Sequence, residues 1–170
     1  MRRILVWGAP GTGKSTLARA IGARLGLPVI HLDAEYWRPG WVKPAQEEWL
    51  AQVTALTARD AWVMDGNYSA TWDLRLPRAG AVVWLDLPRA LYLSRTLRRT
   101  FFNWGRTRSD LGRDCPERFD WDFLRWTWTY PARTRGRTIA TLNQVRNEKR
   151  VVILRSSAEV RRFCRSDFPF

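Results

Sequence analysis

The residues of this chain with the most evident chemistry lie close to its start, in the run Gly8-Ala9-Pro10-Gly11-Thr12-Gly13-Lys14-Ser15. Glycines at these spacings let the backbone wrap tightly and turn its N–H groups inward, which makes a concave ring of donors. Followed by a helix N-terminus, such a ring suits a phosphate chain. Lys14 would reach the β- and γ-phosphates, and the Ser15 hydroxyl would ligate Mg²⁺. The run fits G-x-x-x-x-G-K-[ST] at every specified position, so residues 8–15, with Thr16 beside them, are assigned to a nucleoside triphosphate.

A phosphate loop needs a strand before it and a helix after it. Ile4-Leu5-Val6-Trp7 is a short apolar run that ends at Gly8. Behind Ser15, Leu17, Ala18, Ile21 and Leu25 share one helical face, and Gly26 and Pro28 stop it. Pro28-Val29-Ile30-His31-Leu32-Asp33 reads as a second strand ending in a carboxylate. A loop around Pro39 and Gly40 follows, then a helix over 44–59 with Trp49, Leu50, Val53, Leu56 and Thr57 inward. Residues 61–65 read as a third strand ending at Asp65, residues 81–86 as a fourth ending at Asp86, and residues 151–154 as a fifth before a helix from Ala158. Pro88 suits the first turn of the helix after the fourth strand. Apolar strands alternating with helices imply an α/β domain whose parallel sheet is covered on both faces. Ligands of such sheets gather at the strands' carboxyl ends, where Gly8, Asp33, Asp65 and Asp86 all fall.

The rest of the composition narrows the class. The 170 residues fit one domain, and no apolar run approaches the length that spans a bilayer. The N-terminus lacks a signal-peptide pattern, and Cys115 and Cys164 are too far apart for a C-x-x-C motif. A cytoplasmic protein with free thiols is the expectation. Twenty-nine basic residues face 16 acidic ones, a net charge of +13, and only Lys14, Lys43 and Lys149 are lysines. Residues 1–89 hold 11 basic and 8 acidic groups, whereas residues 90–170 hold 18 and 8. That second-half excess suits either a nucleotide's phosphates or a polyanion such as nucleic acid. Between residues 100 and 136 the strand rhythm stops in a stretch full of arginine and tryptophan, which reads as a lid within the single domain.

Four further strings, HLDAEYWRPGW, MDGNYSATWDLRL, WLDLPRALYLSRTLRR and GRTRSDLGRDCPERFDWDFLRWTWTYP, resemble the P-loop family of DNA topology modulation proteins, FlaR-type. That family is similar in turn to the adenylate kinase and shikimate kinase group of small P-loop kinases. The resemblance covers about residues 2–160. It implies a P-loop NTPase fold with five parallel strands in the order 2-3-1-4-5, helices on both faces and a mobile helical lid rich in arginine and tryptophan.

The kinase plan implies roles for residues of this sequence. Asp33 would orient or deprotonate an acceptor hydroxyl, and a plain capping carboxylate is the alternative. Asp65 would hold Mg²⁺ in the manner of a Walker B carboxylate. Asn67 and Tyr68, just behind it, are counted with the acceptor. Asp86 reads first as a cap for the helix at Pro88, and His31 as a core or rim residue rather than a base. Arg95, Arg99, Arg106 and Arg108 are the arginines assigned to the transferring phosphoryl group, with Arg133, Arg135 and Arg137 next. Tyr36, Trp37 and Trp41 would stack on a flat acceptor or pack under the lid. Trp62 and Trp84 read as core, and Trp121, Leu124 and Trp128 as a packed helical stripe. ATP and Mg²⁺ are the expected cofactors, and a phosphotransferase acting on a small acceptor such as a nucleoside or nucleotide is the leading expectation. A nucleotide-switched DNA-binding protein and a polynucleotide-end kinase are the alternatives.

Overall fold

The computed structural model describes residues 1–166. In chain order the elements are β1 (Arg3–Gly8), α1 (Lys14–Leu25), β2 (Val29–His31), α2 (Leu32–Tyr36), α3 (Gln46–Ala58) and β3 (Trp62–Asp65). A 3₁₀ turn at Ser69–Thr71 leads into α4 (Trp72–Arg75), β4 (Ala81–Leu85), α5 (Arg89–Phe102), α6 (Trp121–Val145), β5 (Arg150–Leu154) and α7 (Ser157–Arg165). All strand pairings are parallel, and the sheet order is β2-β3-β1-β4-β5. β1 sits at the centre, with Ile4 against Val63 on one side and Ala81 on the other.

The continuous apolar run of β1 follows from burial on both faces. Leu5 and Trp7 join one core cluster with Trp49, Val53, Trp62, Trp72 and Leu142. Ile4 and Val6 join the other, with Leu17, Ile21, Leu87 and Phe163. Alternation along the strand therefore feeds two layers at once. Trp7 stacks on Trp72, with ring centroids 4.4 Å apart. Trp62 and Trp84 are buried, as their strand positions imply.

Several local expectations shift for identifiable reasons. β2 ends at His31, because Leu32 and Asp33 already belong to the first turn of α2. The carboxylate thus sits on a helix start rather than on a strand end. Leu25 is 36% exposed, since α1 stops there and Gly26, with φ 64°, turns the chain away. In α3 the inward residues are Trp49, Val53, Leu56 and Thr57, with Leu50 half-buried.

The stretch expected to form a lid is largely helical. It comprises the end of α5, residues 103–120 without regular elements, and the first part of α6, which passes through Pro131. The indole stripe on α6 faces outward: Trp121 is 75% and Trp128 56% exposed. The inward face is Thr127, Tyr130, Thr138 and Leu142. Small hydroxyl residues there let α6 approach α5, which offers Tyr92, Thr96 and Thr100 in return. Thr127, Thr134, Thr138 and Thr96 each donate to the carbonyl four residues back, so burial leaves none of these four threonine hydroxyls unpaired.

Gly22 allows a close approach in the middle of α1, because a Cβ there would collide with Val29 Cγ2 and crowd the Leu27 carbonyl. Helix propensity alone gives Gly22→Ala a gain of about 1 kcal/mol. We expect instead a loss of about 1–3 kcal/mol from overpacking, measured by chemical denaturation.

Candidate functional site

The phosphate loop joins β1 to α1 and packs on α5. Gly11, with φ 77°, lies so close to α5 that a Cβ would collide with the Tyr92 carbonyl and the Thr96 hydroxyl. The Ala9 carbonyl accepts from Thr12 Oγ1 at 2.7 Å and from Lys14 Nζ at 3.1 Å, which holds the curve from inside. Gly8, Ala9 and Thr12 are buried, Pro10 is half-buried, and Thr16 is exposed on the first turn of α1. Asn67, expected at the acceptor, is engaged elsewhere. Its amide donates to the Gly8 carbonyl at 2.7 Å and accepts from the Gly8 N–H at 3.2 Å. That pair ties the loop after β3 to the phosphate loop.

Asp65, at the end of β3, is 4% exposed. Its Oδ2 accepts from the Ser15 hydroxyl at 2.7 Å, and its Oδ1 meets His31 Nδ1 at 2.5 Å. His31 is therefore part of the site's wall. Burial works against its charged form, yet the hydrogen bond and charge of Asp65 raise its pKa above the usual value. Asp110, from residues 103–120, also reaches Ser15. Burial opposes its ionisation, but Arg108 and the Ser15 hydroxyl hold its pKa below the ordinary range.

The donor set suits Mg²⁺. Ser15 and Asp65 are adjacent hard oxygen donors, and this ion takes one or two protein oxygens together with substrate phosphates and waters. Among the described residues no group of three His, Cys, Asp or Glu could hold a metal.

The second half of the site is built around Asp33. Tyr68 donates its hydroxyl to Asp33 Oδ1 at 2.7 Å. Burial raises the Asp33 pKa, with Lys14 and the Tyr68 hydrogen bond pulling the other way. Lys14 responds in the opposite sense: burial lowers its pKa, opposed by Asp33 and Asp65 and reinforced by Arg99 and Arg108. Lys14, Asp33, Arg99 and Arg108 thus lie within electrostatic reach of one another. Glu117 Oε1 anchors both guanidinium groups, Arg99 at 3.1 Å and Arg108 at 3.0 Å.

The remaining arginines lie elsewhere. Arg95 donates to Ser157 at 3.0 Å at the start of α7, and Arg106 is exposed and contributes only backbone hydrogen bonds. Arg133 covers Trp126, Arg137 covers Trp72, and Arg135 forms a forked pair with Asp86. Asp86 is thereby spent on α6, and α5 has no side-chain cap. Helical periodicity separates these faces only once the helix axis is placed, and nothing in the local sequence marks Asp110 or Glu117.

Tyr36 packs with Trp49 and Tyr68 beside Asp33, at centroid distances of 4.9 and 4.8 Å. Trp37 and Trp41 meet edge to face at 5.3 Å, and Trp41 Nε1 donates to the Pro116 carbonyl at 3.1 Å. Gly40 N–H bonds the Asp114 carbonyl, and Cys115 Sγ the Arg38 carbonyl. Residues 114–116 therefore pack against the loop carrying Trp37 and Trp41.

One fully buried side chain holds the loop after β3 together. The Arg75 guanidinium donates to the carbonyls of Gly66, Asn67 and Tyr68 and to Thr71 Oγ1. It fixes the loop that presents Asn67 to Gly8 and Tyr68 to Asp33.

The family described as ATPase family associated with various cellular activities (AAA) matches residues 4–61. No curated protein matches the chain. Among solved structures, a gluconokinase from Sinorhizobium meliloti 1021 is 22% identical, with 98% of this chain and 91% of that one covered and a TM-score of 0.56. A shikimate kinase from Acinetobacter baumannii in complex with shikimate is 20% identical over 96% and 89% of the chains, with a TM-score of 0.57. The shikimate kinase from Bacteroides thetaiotaomicron is 16% identical over 96% and 94%, with a TM-score of 0.51. The chain has the fold of the small P-loop kinases, with a P-loop nucleotide-binding site.

Arg75→Met would leave three carbonyls facing an apolar side chain. We expect a loss of about 3 kcal/mol or more in denaturant unfolding, because buried hydrogen bonds to a charged group are worth about 1.5–3 kcal/mol each.

Proposed function

We propose that the protein is a phosphotransferase that moves the γ-phosphoryl group of ATP, with Mg²⁺, to a hydroxyl of a small polar acceptor. The observation that carries this reading is that Lys14, Asp33, Arg99 and Arg108 stand within electrostatic reach of one another, close to the Ser15–Asp65 pair. The fold neighbours named gluconokinase and shikimate kinase, one of them holding shikimate, support a polar hydroxyl-bearing acceptor. A nucleoside or nucleotide is equally compatible with the aromatic wall of Tyr36 and Tyr68.

In this reading the phosphate loop N–H groups and Lys14 hold the β- and γ-phosphates. Ser15 and Asp65 hold Mg²⁺, which neutralises phosphate charge when bound. Asp33 accepts the acceptor's hydroxyl proton as the acceptor oxygen bonds to the γ-phosphorus, and the bond to the β–γ bridging oxygen breaks to release ADP. Arg99 and Arg108 stabilise the charge that spreads over the migrating group, and their shared carboxylate, Glu117, preorganises them.

A second reading is supported by a separate observation. Phe101, Phe102, Trp104, Trp121 and Trp128 are exposed on α5, α6 and the segment between them, with Arg98 over Phe102 and Arg89 over Trp128. Aromatic faces alternating with guanidinium groups suit single-stranded nucleic acid. This favours the FlaR-type reading of a nucleotide-switched DNA-binding protein, or an enzyme acting on polynucleotide ends. Among the described residues no helix is long and apolar enough to cross a membrane.

Mg²⁺ and γ-labelled ATP, incubated with the protein and a panel of polyols, nucleosides, nucleotides and DNA 5′ ends, separate the readings. Label on a small acceptor is the expected outcome. ADP release only with DNA, with affinity falling steeply as salt rises, would favour the second. Asp33→Asn is expected to reduce transfer about 10²–10⁴-fold while sparing ATP binding.

The pH profile carries a sign. Asp33 must be ionised to accept the proton, and its raised pKa puts the acid limb of kcat/KM for the acceptor above the ordinary carboxylate range. The Tyr68 hydrogen bond lowers that pKa, so Tyr68→Phe should move the limb to still higher pH. An unmoved limb in Tyr68→Phe would take Asp33 out of the proton transfer.

A further inference from the structure

A cavity of about 340 Å³ lies at the carboxyl end of β4, between the start of α5 and the middle of α6. Ala9 is its only phosphate-loop residue, and none of Lys14, Ser15, Asp33 and Asp65 lines it. It is therefore separate from the phosphotransfer site, although its size is within the range of small-molecule pockets.

Its walls divide by chemistry. Trp84, Leu87, Pro88 and Pro131 supply an apolar side. Arg89, Arg135 and Arg155 supply guanidinium groups, and Asp86 is the one carboxylate in the lining. Arg135 is neutralised by its forked pair with Asp86, at 3.1 and 3.0 Å. Arg89 covers Trp128, and neither it nor Arg155 has an ion-pair partner among the described residues; Glu159 bonds only the backbone N–H of Arg155. The cavity thus carries two uncompensated positive charges.

A second feature points into the same space. Tyr92 lines the cavity at 2% exposure, and among the described residues its buried hydroxyl makes no hydrogen bond of good geometry, although the Arg89 guanidinium stands beside it. A buried hydroxyl without a partner is destabilising, which a bound acceptor group would relieve. Arg89 and Tyr92 both stand on the first turn of α5, where the helix dipole favours negative charge.

We propose that this cavity is a second binding site, for a small organic phosphomonoester. The dianionic phosphate matches the two free guanidinium groups and, once Tyr92 shifts to expose it, takes the Tyr92 hydroxyl, and the apolar body lies against Trp84 and Pro131. A bound ligand touches Ala9 and Tyr92, the residue whose carbonyl packs on Gly11, so it abuts the nucleotide site from behind.

Phenyl phosphate is the probe, titrated into full-length protein saturated with Mg²⁺ and a non-hydrolysable ATP analogue. The readout is the ¹⁵N-indole spectrum, with Trp84 assigned through Trp84→Phe. A saturable shift of Trp84 is expected, about tenfold weaker in Tyr92→Phe and in Arg89→Gln, with inorganic phosphate binding less tightly than phenyl phosphate. Tyr92→Phe keeps the ring and removes only the unpaired hydroxyl, so its melting temperature should hold or rise. Shifts confined to Trp37 and Trp41, unchanged affinity in both variants, or equal binding of inorganic phosphate would overturn the proposal.

Discussion

The carboxylate of Asp65 is the constraint on which the site's arrangement depends. A charge with so little exposure is stable only when hydrogen-bonded donors surround it. Here the donors come from different elements, Ser15 from the start of α1 and His31 from the end of β2. The carboxylate itself ends β3, next to β1. Satisfying one buried anion therefore fixes the rotation of α1 against the sheet and the position of the outer strand. The phosphate loop spans only the residues between β1 and α1, so its curvature follows from those two ends.

The loop after β3 extends that constraint to the acceptor side. Arg75 gathers three consecutive carbonyls, which leaves Asn67 facing the phosphate loop and Tyr68 facing Asp33. The contacts to Gly8 and to Asp33 thus share one short segment. A guanidinium performs this task better than an ammonium would, because its planar fork meets several oxygens at fixed angles. Strain in the segment is local: Gly66 has φ 128° and Tyr68 φ 29°. The clamp holds a conformation that these residues would not keep unaided.

Legibility in the sequence followed the range of the determining interactions. The phosphate loop was readable because its conformation is set by residues within one turn of chain. The parallel sheet was readable from apolar runs, and Asp65 stands where its strand implied. Asp33 falls on the start of α2 rather than the end of β2, since nothing in HLDAEY marks where a strand gives way to a helix start. The lid was harder. Arg95 and Arg99 are one helical turn apart on α5, yet one reaches Ser157 and the other Glu117. On α6 the period of the indoles was correct but its direction was inverted, because aromatic bulk suggests a core. The threonines at 127, 134 and 138, matched by 96 and 100 on α5, were the available signal for a close helix pair.

The arginine excess follows a related logic. With 29 basic and 16 acidic residues, the basic groups cannot each find a carboxylate of their own. The acids present are concentrated: Glu117 serves both Arg99 and Arg108, and Asp86 serves Arg135. Elsewhere Arg89, Arg98, Arg133 and Arg137 lie over aromatic rings at 4.9–5.6 Å. Arginine stacks where lysine would only perch, because its planar, weakly hydrated group sheds water readily against a π face. This pairing accounts for two compositional oddities together, since the exposed indoles are partly covered by the charges that lack acids. It also leaves Glu117 free to hold Arg99 and Arg108 side by side.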